Sequence, residues 1–271
     1  LTGGAGIVKA AYSSGKPAYG VGPGNVPVLL DTTADTEWAV RGVLSGKTFD
    51  YGTLCSSEQT IVAEAKIRQN VLSALHANGA FLCDDAQAKA LARVLFSKGT
   101  TVNPELVGHA ATEIAKRAGF SVPDSTRVLA AEVAGIGRDF PLSAEKLSPV
   151  LALHFVDSFD AALNACEAIL RFHGLGHTCG IYTNDESKAR VFAERMPAFR
   201  VLANTPTPQG SVGITTGLFP AMTLGCGAVA GNATGDNVTP MHLINVKRLA
   251  WGIRPWSQDA PPKVVTASGP V

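Results

Sequence analysis

The residue in this sequence best suited to covalent chemistry is Cys55. It lies in Thr48-Phe49-Asp50-Tyr51-Gly52-Thr53-Leu54-Cys55-Ser56-Ser57-Glu58-Gln59, between a glycine-containing turn and the apolar run Thr60-Ile61-Val62-Ala63. Thiolate is the strongest common side-chain nucleophile and adds readily to a carbonyl carbon. Its adduct with an aldehyde, a thiohemiacetal, can release hydride to a nicotinamide and leave a thioester on sulfur. The same position also fits a small buried hydrophobe, the commoner fate of a free cysteine.

Two glycine-rich segments could serve such a nucleophile. Thr2-Gly3-Gly4 opens a helix-like pattern through Ile7, Val8, Ala10 and Ala11 that stops at Ser13-Ser14-Gly15. A helix start offers unpaired N–H groups and a positive dipole end to a pyrophosphate or a nicotinamide. Gly20-Val21-Gly22-Pro23-Gly24-Asn25 permits backbone approaches that a β-carbon would forbid, and Gly22 is assigned with Thr2, Gly3 and Gly4 to cofactor binding.

These segments have to be held by regular structure. Apolar patterning predicts strands at Ala18–Val21, Val26–Leu30, Gln59–Ala63, Arg127–Val133, Val150–Val156, Cys179–Thr183 and Arg200–Ala203. It predicts helices at Ala34–Lys47, Lys66–Ala77, Ala86–Phe96, Pro104–Ala118, Phe159–Phe172 and Glu186–Arg195. Strands alternating with helices imply an α/β fold around a largely parallel sheet. Ser257–Val271, rich in Pro, Ser, Ala and Gly, reads as a mobile tail or interaction arm.

With 271 residues and 46% hydrophobic content, the chain can bury one large core or two smaller ones. Its 23 Lys and Arg against 22 Asp and Glu give no reason to expect nucleic acid or an anionic membrane as partner. Five scattered cysteines without a CxxC pair argue against a disulfide framework and a zinc site, and favour a reducing, cytoplasmic setting. No run approaches the roughly 20 apolar residues of a membrane-spanning helix. The first residues, Leu1-Thr2-Gly3-Gly4, lack an initiator Met and point to an upstream portion.

Several long strings occur together and in order: Val8-Lys9-Ala10-Ala11-Tyr12-Ser13-Ser14-Gly15-Lys16-Pro17, the Gly20–Pro27 turn, Phe49–Gln59, Glu145-Lys146-Leu147-Ser148-Pro149-Val150, Gly174-Leu175-Gly176-His177-Thr178 and Leu224-Gly225-Cys226-Gly227. With them the chain, from Leu1 to about Trp251, resembles the CoA-acylating branch of the aldehyde dehydrogenase superfamily, including the aldehyde dehydrogenase part of bifunctional aldehyde/alcohol dehydrogenases.

The resemblance implies an aldehyde dehydrogenase-like α/β fold: the C-terminal part of a Rossmann-type nucleotide-binding domain over residues 1–26, a catalytic domain with oligomerisation elements over 27–251, and a mobile tail over 252–271. It implies NAD or NADP as cofactor, a short-chain aldehyde and coenzyme A as substrates, and a homodimer or larger assembly. Cys55 becomes the nucleophile and Glu145 the residue that hydrogen-bonds the nicotinamide ribose. His177, after two glycines and before a strand, reads as a group held near Cys55 that moves the CoA thiol proton, with a structural histidine as the alternative. Val21 stands where hydrolytic relatives carry a Glu, 34 positions before the nucleophile, and valine cannot activate water. Thiolysis is therefore expected over hydrolysis, with Glu58 and Asp50 as the carboxylates that would favour hydrolysis instead. A non-catalytic fragment is the further alternative.

No histidine has ligand spacing, so no metal is expected. Cys226 and the remaining cysteines are assigned to packing, and Asn204–Pro206 with Gln209–Ser211 to a loop lining the aldehyde or CoA channel. A charged aldehyde would need a cation at the pocket, for which Arg138 and Arg200 stand open. Which aldehyde is used, NAD against NADP, and the physiological direction are not written in these residues.

Overall fold

In a computed structural model, residues 1–252 are described. The strands are β1 (Val26–Leu30), β2 (Glu58–Glu64), β3 (Ala80–Cys83), β4 (Phe96–Lys98), β5 (Thr101–Val102), β6 (Val128–Glu132), β7 (Val150–Val156), β8 (Gly176–Tyr182) and β9 (Ala198–Ala203). The helices are α1 (Ala5–Tyr12), α2 (Thr36–Thr48), α3 (Arg68–Ala77), α4 (Asp85–Leu95), α5 (Ala111–Arg117), α6 (Phe159–Ile169), α7 (Glu186–Arg195) and α8 (Thr207–Ser211).

Seven strands form one sheet in the order β3-β6-β7-β2-β1-β8-β9, and every pairing in it is parallel. The composition of the central strands explains this arrangement. Every residue of β1, β2 and β8 is buried, as a strand covered on both faces must be. One face carries Val40, Val43 and Leu44 of α2 with Val71 and Leu75 of α3. The other carries Leu163, Cys166 and Ile169 of α6 with Phe192 of α7. Each such side chain contributes about 1.5–3 kcal/mol on full burial.

Helix starts follow their caps. Asp35, Asp84, Ser158 and Asp185 each accept a backbone N–H at the start of α2, α4, α6 and α7, the side-chain type and position that satisfy orphan donors. Asp84 and Gln87 close a reciprocal capping box.

Two expected elements are corrected. Ala18–Val21 is not a strand: Val21 makes only an isolated bridge to Thr2, through Val21 N–H to Leu1 O and Gly3 N–H to Val21 O. Pro104–Ala118 is not one helix, because Gly108 adopts a positive φ of 73° and donates its N–H to Leu147 O. The chain there is a short 3-10 turn, Pro104–Leu106, followed by α5. The C-terminal turn of the expected helix at Phe159–Phe172 is a π-turn, Leu170–Gly174.

Leu1–Thr239 forms one compact unit and holds all of the sheet. A second unit begins at Pro240; its described part, 240–252, contains one 3-10 turn, Pro240–Leu243, and exposes Met241, Leu243, Leu249 and Trp251. The tail expected over 252–271 lies, apart from Gly252, outside the described residues. Among the described residues no helix is long and apolar enough to cross a membrane.

Candidate active site

Cys55 is delivered by the turn that ends α2. Asp50, Tyr51 and Gly52 all adopt left-handed backbone angles, with φ of 48°, 52° and 71°. They reverse the chain so that Thr53–Cys55 lead into β2. A β-carbon at Gly52 would press on the carbonyl oxygens of Lys47 and Ser148. Leu147, one residue before Ser148, is left-handed as well, so three of the four non-glycine residues with positive φ among the described residues flank one place. Such conformations cost about 1–3 kcal/mol each and persist where surrounding structure enforces them.

That place is a cleft of about 420 Å³ lined by Thr2, Gly3, Gly4, Gly22, Cys55 and Glu145, together with Pro23, Asp50, Thr53, Leu54, Leu147 and Met222. The expected nucleophile and all five residues assigned to the cofactor thus line a single cavity, although they span 144 positions of sequence. Open-sheet proteins usually bind ligands at the carboxyl ends of their strands. Here Gly24 precedes β1, Cys55 precedes β2, Glu145 precedes β7 and His177 opens β8, so the site lies along the amino edge.

Gly24 packs the parts together. A β-carbon there would collide with the Cys55 carbonyl and crowd the His177 ring, and its N–H donates to Glu145 Oε1 at 3.2 Å. The Glu145 loop is fixed a second time by Gln59, whose Oε1 accepts from Lys47 Nζ at 3.2 Å and from the Lys146 amide at 3.1 Å. Lys146 Nζ donates to Leu142 O and Ala144 O, each at 2.7 Å.

Behind the sulfur lies a chain of polar contacts. His177 Nε2 is 3.1 Å from Cys55 Sγ, and His177 Nδ1 is 2.9 Å from Thr178 Oγ1. Thr178 Oγ1 accepts from Arg200 Nε at 3.3 Å, while Arg200 Nη1 donates to Gly235 O and Nη2 to Gly225 O. Thr178 and Arg200 face each other across the β8–β9 register. His177, Thr178 and Arg200 are buried, and none of them lines this cleft or the neighbouring one around Cys226.

The electrostatics follow from burial. Desolvation pushes the Cys55 thiol up to about 12; the charges of Glu145 and Cys226 add to the rise, and Arg200 opposes it. Desolvation and then Arg200 hold His177 down to about 3. The resting pair is therefore a thiol beside a neutral imidazole. Burial raises Glu145 to about 7, against the Gly24 N–H, Lys47 and Lys146, which favour the carboxylate.

Other candidate groups take different places. Glu58 is sealed beneath α8, with Oε1 accepting the Thr207 N–H at 2.7 Å, and it is raised to about 7 by burial. Asn204–Pro206 and Gln209–Ser211 line neither cleft: Asn204 bonds both backbone groups of Thr183, and Ser211 bonds Ser56. Val21 is buried in its bridge with Thr2. Arg138 lines neither cleft. Cys226 lies in a second cleft of about 560 Å³ that shares Gly22 and Pro23 with the first. Among the described residues no group of three or more His, Cys, Asp or Glu side chains could hold a metal ion. Gly24 carried a sequence signal in its three-glycine turn, Thr178 in the string that ends at it and Arg200 as a candidate cation at the pocket; the pairing of Thr178 with Arg200 carried none, because it is set by strand register.

No family model matches the chain. It is 43% identical over 255 residues to an aldehyde-alcohol dehydrogenase of Clostridium acetobutylicum, which covers 92% of this chain and 29% of that protein. It is 38% identical over 250 residues to an acetylating succinate-semialdehyde dehydrogenase of Clostridium kluyveri, again 92% of this chain and 55% of the relative. An acetylating aldehyde dehydrogenase from Geobacillus thermoglucosidasius superposes with a TM-score of 0.91 at 42% identity, over 95% of this chain and 57% of that one. A Rhodopseudomonas palustris propionaldehyde dehydrogenase with bound CoA and an acylated cysteine superposes at 0.78, with 28% identity over 88% of this chain and 53% of that one. An engineered glycolyl-CoA reductase with bound NADP+ superposes at 0.77, with 28% identity over 86% of this chain and 52% of that one. The chain thus spans between about a third and just over half of these proteins. Sequence and fold together place it in the aldehyde dehydrogenase superfamily, within the CoA-acylating branch.

Proposed function

We propose that this chain carries the acyl-transfer site of an enzyme that oxidises a short-chain aldehyde to acyl-CoA, reversibly, with NAD or NADP as hydride acceptor and Cys55 as the acyl carrier. The observation that supports it most is the cleft in which Cys55 shares a wall with Glu145 and three glycines, with His177 Nε2 3.1 Å behind its sulfur.

The cleft suits a flat nicotinamide and its ribose. Gly4 and Gly22 have open space where a side chain would stand, and Glu145 Oε1 is oriented by Gly24, which leaves Oε2 for a hydroxyl. Thr2, Gly3, Gly4, Gly22 and Glu145 would hold that half of the cofactor, which supplies the hydride acceptor when bound. Residues 1–26, whose bridge and α1 belong to no strand of the sheet, would complete the nucleotide-binding domain, and 27–251 would form the catalytic domain.

On this reading, Cys55 sulfur adds to the aldehyde carbon while His177 receives the S–H hydrogen bond and aligns the sulfur toward the cleft. Burial and the Arg200 charge disfavour an imidazolium, so the proton passes on to the carbonyl oxygen as the thiohemiacetal forms. After oxidation, the Cys55 thioester awaits the CoA thiol. Position 21 offers no proton acceptor, and Asp50 at the cleft is engaged by the Thr53 hydroxyl at 2.7 Å, so thiolysis over hydrolysis requires CoA rather than water beside Glu145, the remaining carboxylate of the cleft.

The exposed Ile214, Leu218, Phe219 and Met222 suit burial against another chain, in keeping with a homodimer or larger assembly, which light scattering would measure. Five free cysteines suit a reducing compartment such as the cytoplasm.

The test is NAD reduction with acetaldehyde, with and without CoA, with acyl-CoA followed directly and Cys55→Ala alongside. CoA-dependent turnover that falls by roughly 10⁴-fold or more in Cys55→Ala is expected. Equal turnover without CoA, with free acid released, would make the enzyme hydrolytic.

A further inference from the structure

Thiolysis requires a proton acceptor for the incoming thiol, and His177 does not reach the cleft. Its two ring nitrogens face Cys55 Sγ and Thr178 Oγ1, and it is fully buried. The titratable side chains that line the cleft are Asp50, Cys55 and Glu145. Asp50 is exposed, on the turn after α2, and bonded to Thr53. Glu145 is mostly buried, and Gly24, the residue that binds its Oε1, lies directly against the Cys55 carbonyl. Glu145 Oε2 makes no hydrogen bond among the described residues.

We infer that Glu145 is the general base of acyl transfer: its unbonded carboxylate oxygen takes the proton of the CoA thiol as that sulfur adds to the acyl carbon on Cys55. This rests on Cys55 being the acyl carrier. The new C–S bond forms to CoA, and the C–S bond to Cys55 breaks. The leaving Cys55 sulfur then recovers the proton from Glu145, so both side chains end as they began and no oxidant or reductant is consumed.

The surroundings keep the carboxylate basic without pairing it. Lys47 faces it from the end of α2 and Lys146 from its own loop, but Lys47 Nζ is bonded to Gln59 and Lys146 Nζ to two carbonyls. Cys55 and Cys226 are the thiols that feel its charge. Burial raises Glu145 to about 7, so at pH 8 it is ionised yet close to the ideal for a base at that pH. The same residue can serve a ribose hydroxyl before the reduced nicotinamide leaves, since the two duties fall in different half-reactions.

The test bypasses the nicotinamide. The protein carrying this chain is acetylated on Cys55 with p-nitrophenyl acetate, freed of excess ester and mixed with CoA from pH 5.5 to 9, with loss of the acetyl group followed by intact mass. The wild-type rate is expected to climb and level off with an ionisation near 7. Glu145→Gln, which keeps the acceptor for Gly24 N–H and for a ribose hydroxyl, is expected to lose that ionisation and to slow thiolysis by roughly 10²-fold or more. A Glu145→Gln rate within about threefold of wild type, with the same pH profile, would overturn the assignment. So would a wild-type rate that keeps rising through pH 7 without levelling, a result independent of whether the variant folds. Failure of Cys55 to take the acetyl group would instead count against Cys55 as acyl carrier.

Discussion

The two sides of Cys55 are built on opposite principles. Toward the cleft stand backbone glycines, an exposed Asp50 and a Glu145 with a free oxygen. Away from it, His177, Thr178 and Arg200 form a buried file joined by hydrogen bonds from Cys55 Sγ to the Gly225 and Gly235 carbonyls. A sealed file fixes orientation and tautomer but exchanges nothing with ligands; an open wall can bind and exchange protons but does little to fix the sulfur. On the proposed reading, the division gives alignment of Cys55 to one side and traffic with substrate to the other. It also accounts for the opposite electrostatics, since burial pushes His177 out of the range of a useful base and brings Glu145 into it.

His177 tests that division most directly. His177→Asn removes the group aligned on Sγ, and acylation of Cys55 by an activated ester is expected to fall by roughly 10²-fold. A variant as fast as wild type would mean that the sealed side does not serve the sulfur.

Titration of the free thiol sharpens the same contrast. With Cys55 raised to about 12 and His177 lowered to about 3, the thiolate fraction grows about tenfold per pH unit below the thiol pKa. Alkylation of Cys55 by iodoacetamide, read on its peptide by mass spectrometry, is therefore expected to rise without a plateau from pH 7 to 10. A plateau already present at pH 6 would indicate a thiolate–imidazolium pair and remove the distinction between the two sides.

The smallest effect lies furthest from the sulfur. Thr178→Val leaves the His177 Nδ1 without its partner, and loss of such an orienting contact costs about 10-fold or somewhat more. Thr178→Ser should restore most of that rate, measured as ester acylation of Cys55. Equal loss in both variants, with lowered thermal stability, would reduce the file to packing.

Much of this was legible in the residues. β7 and α7 have the bounds that patterning predicts, because Val150–Val156 is a continuous apolar run and Asp185 caps an evident helix start. Ala18–Val21 misled because it is apolar but has one bridge partner rather than a neighbouring strand. Pro104–Ala118 misled because Gly108 answers to Leu147, some 40 residues away, rather than to its own helix. β3 went unread: four residues between Gly79 and Asp84 are too few for a period to declare itself. Of the candidate site, Cys55, Glu145 and His177 stood out through long strings, whereas Arg200, read as a possible cation at the pocket, is tied to Thr178 only through strand register.

The sequence by itself determined the alternation that yields a parallel sheet, the thiol proposed as acyl carrier and the glycines around it, because these depend on local periodicity and side-chain size. Only the tertiary structure decided which face of Cys55 meets the cleft, that His177 is closed off from it and that Glu145 is not. Those are matters of desolvation and of hydrogen-bond reach, and both are set through space by segments that the sequence keeps about 90 to 120 residues from the sulfur they act on.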